Sequence, residues 1–115
     1  MIYEKLEVWK RSKNLAVSVY KQMAGCRDFG FKDQITRCSL SVVSNIAEGM
    51  ERKTKPDKIR FLVIAKGSIA ELKAQTQVGL EIEYIPKNIG IKWLNESEII
   101  SKMLQSLMNS LNPKP

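Results

Sequence analysis

Hydrophobic residues recur at three- and four-residue intervals in four stretches of the chain, with short breaks between them. This interval places apolar side chains along one face of an α-helix, whereas a half-buried strand alternates every second residue. The second stretch contains the β-branched pair Val42 and Val43, but the serines around it do not give that alternation. The pattern therefore predicts four amphipathic helices, over residues 5–24, 31–52, 56–84 and 92–111.

The breaks carry residues that begin or end helices. Gly25 follows the first predicted helix, and Pro56 is predicted at the first position of the third, where its fixed φ is favourable. Pro86 lies in the turn-rich segment 85–91, which we predict as a loop before the fourth helix. Because short connections join antiparallel neighbours, the sequence predicts one all-α domain spanning 1–115, an antiparallel up-and-down four-helix bundle.

The positions predicted to face the core share the helical interval within each segment. They are Leu6, Trp9, Ala16, Val19, Tyr20 and Met23 in the first helix; Ile35, Cys38, Val42, Ile46 and Gly49 in the second; Ile59, Leu62, Ala65, Ile69, Leu72, Thr76 and Leu80 in the third; and Leu94, Ile100, Met103, Leu104, Leu107 and Leu111 in the fourth.

Composition narrows the class of protein. Hydrophobic residues make up 43% of the chain and charged residues 27%, which is ordinary for a globular protein. No apolar run reaches the ~20 residues of a membrane span, and the first residues do not resemble a signal peptide, so we expect a cytoplasmic protein without a membrane role. Histidine is absent and the cysteines are two, Cys26 and Cys38. We therefore expect no His-based catalysis, structural metal, disulfide or cofactor.

The positive charge is concentrated in the first part of the chain. The net charge is +7; residues 1–66 hold 14 Lys and Arg against 7 Asp and Glu, whereas residues 67–115 hold 5 of each. Such a surplus favours a polyanionic partner, although it would also serve solubility alone. The cations form two clusters, which we predict to bind the phosphates of nucleic acid with little sequence preference. They are Lys10, Arg11 and Lys13 in the first helix, and Arg52, Lys53, Lys55, Lys58 and Arg60 around the second break.

A polar row accompanies the apolar stripe of the second helix. Its members Arg37, Ser41, Asn45 and Glu48 follow one another at intervals of four, four and three, and Ser68 and Glu71 are three apart in the third helix. Buried charges must be paired, so we predict a structural polar network at a helix or subunit seam, in which Arg37 and Arg52 pair with Glu48 and Glu71. An acid–base or metal pair of Glu48 and Glu71, or a ligand contact, is the alternative.

Three segments resemble a known family. They are LEVWKRSKNLAVSVY, QITRCSLSVVSNIAEGMER and FLVIAKGSIAELKAQ, and they are similar to the four helix bundle protein family first described from intervening sequences of bacterial 23S rRNA genes. The positions that match its motifs are Arg37, Asn45, Glu48, Gly49, Arg52, Gly67, Ser68, Glu71 and Leu72. The chain differs at Cys38, where the family often has Ala, and at Val43, where it often has Pro.

The resemblance implies an antiparallel four-helix bundle that assembles as a ring-shaped homopentamer. It also implies kinship with the accessory variability determinant proteins of diversity-generating retroelements, which bind nucleic acid and a reverse transcriptase. No catalytic residues are implied. Three hypotheses follow: a non-enzymatic, basic homo-oligomer that binds structured RNA or DNA or assists an RNA-handling enzyme; a protein-interaction scaffold; and an enzyme using Glu48 and Glu71, which the lack of histidine disfavours.

Overall fold

The computed structural model describes residues 3–112, and within them every regular element is helical. A short 3-10 turn at Tyr3–Lys5 precedes four α-helices. These are α1 (Glu7–Met23), α2 (Phe29–Met50), α3 (Lys55–Glu81) and α4 (Lys87–Leu111). The prediction of an all-α, four-helix fold is confirmed.

Neighbouring helices run antiparallel. Between α2 and α3, Ser41 meets Ser68 while Met50 meets Lys58, so the residue numbers run in opposite directions along the seam. The α3–α4 and α1–α4 seams show the same order, through Lys66–Gln105 with Lys73–Glu98 and through Arg11–Glu96 with Ser18–Trp93. Each helix contacts the next and α4 returns to α1. The result is an up-and-down bundle measuring 48 × 21 × 21 Å.

Side-chain caps define the starts of α2 and α3. Asp28 precedes α2, and its Oδ1 accepts a hydrogen bond from the Phe31 amide at 3.1 Å. Thr54 precedes α3, and its Oγ1 accepts from the Asp57 amide at 3.2 Å. Each cap satisfies an amide that has no partner within its helix. Because Lys55 is the first residue of α3, Pro56 takes the second helical position rather than the predicted first.

The α3–α4 connection is shorter than predicted. The loop expected over 85–91 ends at Pro86, which directly precedes α4, so that helix begins five residues earlier than expected. Gly90 falls in the predicted loop, but in the structure it lies inside α4, buried against α3: a Cβ there would come within 2.4 Å of Leu80 Cδ2. Glycine at this position leaves room for the Leu80 side chain of α3, a contact that the local sequence does not reveal.

The core consists largely of the predicted positions. All five residues predicted inward from α2 are buried, as are Leu62, Ala65, Ile69, Leu72 and Thr76 of α3. The prediction for Tyr20 is wrong, since its side chain is 43% exposed at the edge of the α1 stripe. The prediction missed Val8, Leu15 and Ile85, which are buried.

Both cysteines are free thiols. Cys38 is buried, and its Sγ lies 3.1 Å from the Ser68 carbonyl oxygen as a hydrogen-bond donor across the α2–α3 seam. Burial raises the pKa of the Cys38 thiol to about 11 because a thiolate there would lose its hydration. The thiol is therefore a packing group rather than a nucleophile.

None of the helices within residues 3–112 is both long enough and apolar enough to cross a bilayer.

Candidate nucleic-acid interface

The α2–α3 connection carries the larger predicted basic cluster, which we call the connection cluster: Arg52, Lys53, Lys55, Lys58 and Arg60. Only four residues separate Met50 from Lys55, so the five cations are confined to one end of the bundle. Lys53 and Lys55 are exposed and form no ion pair within the described chain. Their charges are available to a ligand.

Lys58 has a local role in the fold. Its Nζ donates a hydrogen bond to the Met50 carbonyl oxygen at 3.0 Å. Carbonyl groups at a helix C-terminus lack partners within the helix and carry partial negative charge. Lys58 therefore joins the end of α2 to the first turns of α3, and part of its binding capacity is used by the protein itself.

The two arginines of the connection cluster contact the same aromatic ring. The guanidinium carbon of Arg52 lies 4.6 Å from the centroid of Phe61, and that of Arg60 lies 4.5 Å from it. Arg52 also pairs with Glu48, one turn back in α2, and Arg60 pairs with Asp57 at 3.2 Å. The arginine side chains remain 38% and 59% exposed, respectively. Both arginines are thus held in place with their side chains partly exposed, while the Arg52 Nε is buried without a hydrogen-bond partner among the described residues.

The predicted α1 cluster does not act as one surface. Arg11 turns toward α4, where its Nε and Nη2 donate to the Glu96 carboxylate at 2.7 and 3.0 Å. The hydrogen bond to Glu96 raises the pKa of Arg11. Lys13 lies over the half-buried Trp9 ring, 5.5 Å from its centroid, and Lys10 is exposed. Arg11 is therefore compensated by a carboxylate, while Lys10 and Lys13 remain accessible.

Half of the predicted polar network is present as one hydrogen-bonded group. The hydroxyls of Ser41 and Ser68 lie 2.9 Å apart across the α2–α3 seam. Asn45 Nδ2 donates to the Ser41 carbonyl at 2.8 Å and to the Ser41 Oγ at 3.0 Å. These small polar side chains permit close packing of α2 on α3 and satisfy one another.

The charged members of that network are placed differently from the prediction. Arg37 pairs with Asp33, one turn earlier in α2, at 2.8 Å, rather than with Glu48 or Glu71. The physical reason is proximity, since residues four apart on a helix are neighbours. Of the predicted pairs, the structure contains Glu48 with Arg52, while Glu71 is exposed. Within residues 3–112 no group of three or more His, Cys, Asp or Glu side chains could hold a metal ion.

Sequence reasoning missed an open cleft of about 580 Å³ between α1 and α4. The Arg11–Glu96 pair lies in it, and Trp93 Nε1 donates to Ser18 Oγ at 3.0 Å beside it. These partners are 85 and 75 residues apart in sequence, so no local pattern indicates that they meet.

A second missed feature is an exposed apolar row on α3, opposite its buried face. We call it the α3 stripe: Val63, Gly67, Ala70, Ala74 and Val78. All five are exposed, Val63 by 54% and Val78 by 52%. A helix that is apolar on two opposite faces is normally covered on both. The intervals of four, three, four and four residues were the available signal.

A shallow groove on the far side of the bundle is also largely apolar. This α1–α2 groove has a volume of about 320 Å³ and is lined by Lys13, Ala16, Val17, Tyr20, Lys21, Leu40 and Val43. Its apolar members include three of the large hydrophobic side chains that are more than 40% exposed: Val17, Tyr20 and Leu40. Tyr20, which the sequence predicted to face the core, therefore lies in this exposed groove.

Comparison with known proteins shows the family to which this bundle belongs. No curated protein matches the chain. Among solved structures, the chain is similar to a protein of unknown function from the S23 ribosomal protein family of Bacteroides thetaiotaomicron, with a TM-score of 0.82 and 28% sequence identity over 88% of this chain and 97% of that one. The family model of the 23S rRNA-intervening sequence protein matches residues 4–106. The chain therefore belongs to the 23S rRNA-intervening sequence protein family.

Proposed function

We propose that this protein is a non-enzymatic nucleic-acid-binding protein whose connection cluster contacts the phosphate backbone. The observation that carries the proposal is the presence of two exposed lysines, Lys53 and Lys55, that form no ion pair with any of residues 3–112 and lie beside three further cations at one end of the bundle. Each phosphate that a cation neutralises releases condensed counterions, and this drives binding. The family's name refers to an intervening sequence of 23S rRNA, so structured RNA is the first ligand to test.

Binding of this kind depends on charge more than on base identity. Lysine amines recognise phosphate as point charges, and bases are read by groups aimed at their edges. We therefore expect similar affinity for RNAs of unrelated sequence. The affinity should fall linearly with the logarithm of salt concentration.

The test replaces Lys53 and Lys55 with the neutral, similarly sized glutamine. Lys53→Gln with Lys55→Gln should weaken RNA binding and lower the magnitude of the salt slope by about one for each lysine lost. Fluorescence anisotropy over a salt series measures both quantities. Lys58 is left unchanged because it joins α2 to α3.

The matched control is Lys87→Gln with Lys92→Gln, which removes two exposed charges from the first turns of α4, at the opposite end of the bundle. It should bind as the wild type does. If the wild type binds neither RNA nor DNA at about 50 mM salt, where phosphate contacts are strong, the proposal is wrong. A protein-interaction scaffold then becomes the better interpretation.

Self-association is the second part of the proposal, and the α3 stripe supports it. In one chain this row is exposed, yet its small residues would let another helix approach closely. The α1–α2 groove of a second copy is complementary to the α3 stripe. The groove is apolar and carries the cations Lys13 and Lys21, while the exposed anion Glu71 lies beside the stripe.

When two different surfaces of successive subunits meet head to tail, the subunits form a closed ring if the rotation from one subunit to the next adds up to a full turn. A pentamer is the assembly that the family resemblance implies. A ring would also repeat the connection cluster around its axis, so that one polyanion contacts several copies and gains avidity.

A further inference from the structure

The connection cluster contains two chemically different kinds of cation. Lys53 and Lys55 are exposed and flexible point charges. Arg52 and Arg60 are ordered by contacts on two sides, with the Phe61 ring on one and a carboxylate, Glu48 or Asp57, on the other.

The two arginines and their two carboxylate partners form a group whose formal charges cancel. Glu48, Arg52, Asp57 and Arg60 sum to zero, so the group contributes little attraction at a distance. Hydrogen bonding is different, because a guanidinium has five donors and Arg60 uses only its Nε and one Nη toward Asp57. Donors therefore remain on a group whose position is already set.

We propose that Arg52 and Arg60, stacked on Phe61, form a guanidinium clamp that hydrogen-bonds phosphate oxygens of the nucleic-acid backbone. This inference rests on the proposed function and assigns two contributions to binding to different residues. The two lysines supply the salt-dependent attraction, and the clamp supplies short-range, oriented hydrogen bonds. Guanidinium matches phosphate geometry with paired N–H groups, and its ordering on the ring lowers the entropy lost on binding. Phe61 acts through the arginines as a positioning residue.

The first test is Arg60→Lys, which keeps the charge and removes both the planar fork and its stacking. The residue is exposed, so the bundle should fold normally by circular dichroism. RNA affinity should fall about five-fold or more, as expected when a stacked, bidentate contact is lost, while the salt slope stays unchanged. Arg37→Lys is the matched control, because it makes the same exchange at an exposed, carboxylate-paired arginine outside the connection cluster, and it should leave affinity at the wild-type value.

The second test removes the ring face without changing any charge. Phe61→Leu should weaken binding to a similar extent, and Phe61→Tyr, which keeps an aromatic face, should bind as the wild type does. Phe29→Leu makes the same change at a 73% exposed phenylalanine at the other end of the bundle and should have no effect.

The outcomes separate the two proposals. If the wild type binds RNA but Arg60→Lys binds equally well, the clamp is wrong and the charge-based function stands. The same holds if folded Phe61→Leu keeps full affinity. A fall in the salt slope with either variant would also overturn the clamp, because it would show that charge rather than geometry had been lost. If the wild type binds no nucleic acid, both proposals fail.

Discussion

At the residue scale, the environment of each side chain separates positions that look alike in sequence. Arg52 and Lys53 are adjacent, yet Arg52 is held by Glu48 and Phe61 whereas Lys53 is exposed without an ion pair in the described chain. The glycines differ in the same way. Gly49 of α2 packs against α3, where an added Cβ would lie 3.0 Å from Phe61 Cβ and 3.2 Å from the Lys58 carbonyl oxygen.

Gly49→Ala should therefore destabilise the bundle. The new methyl group meets backbone at Lys58, which cannot yield as a flexible side chain would, and overpacking of this kind costs about 1–3 kcal/mol. Gly30→Ala is the control, because its Cβ would find only ordinary contact with Asp28 Oδ1 at 3.6 Å, and it should be neutral or stabilising by up to about 1 kcal/mol. Urea unfolding monitored by circular dichroism distinguishes them. Equal stability of the two variants would contradict the tight α2–α3 approach.

At the element scale, the short connections determine where the helices begin and end. The connection between α2 and α3 is shaped by the Thr54 cap on one side and Lys58 on the other. The α3–α4 connection is shaped by Pro86 and by the buried Gly90. Only the first of these carries the connection cluster, so the cap that starts α3 also positions Lys53 and Lys55.

Thr54→Ala should remove the hydrogen bond that the Asp57 amide donates and cost about 1 kcal/mol of folding stability. Thr54→Ser keeps the hydroxyl and should retain nearly all of the wild-type stability. Thermal unfolding of the three proteins tests this, together with hydrogen exchange at the first turn of α3. If Ala and Ser variants unfold together, the hydroxyl does not cap the helix.

At the scale of the whole molecule, the bundle has apolar surface on two opposite sides and cations at one end. The α3 stripe and the α1–α2 groove are the surfaces that a second copy would cover. The α3 stripe is exposed along its whole length, so it can be altered without disturbing the fold of a single chain.

Light scattering should show a wild-type particle several times the mass of the 13.1 kDa chain, with five copies as the expected number. Ala74→Glu places a charge in the middle of the exposed α3 stripe and should give a folded monomer, because burying an unpaired carboxylate is costly. Ser106→Glu adds the same charge at an exposed position of α4 and should leave the particle unchanged. A wild-type monomer at micromolar concentration would contradict the assembly proposal.

The periodic spacing of apolar residues was sufficient to predict four helices and most of the core, including Cys38, Val42 and Ile46, and the short breaks between the helices predicted their antiparallel order. This is because helical periodicity is a local property that every turn repeats. It was also sufficient to place the basic clusters along the chain, since charge is read directly from residue type.

Only the tertiary structure decided which of those cations are compensated. Arg11 meets Glu96 from a distance of 85 residues in sequence, and Arg52 meets Phe61 because the end of α2 packs against the first turns of α3. The packing of the helices against one another also decided where α4 begins and that Tyr20 is exposed. Contacts between distant segments depend on how the helices pack, and no local interval in the sequence encodes that geometry.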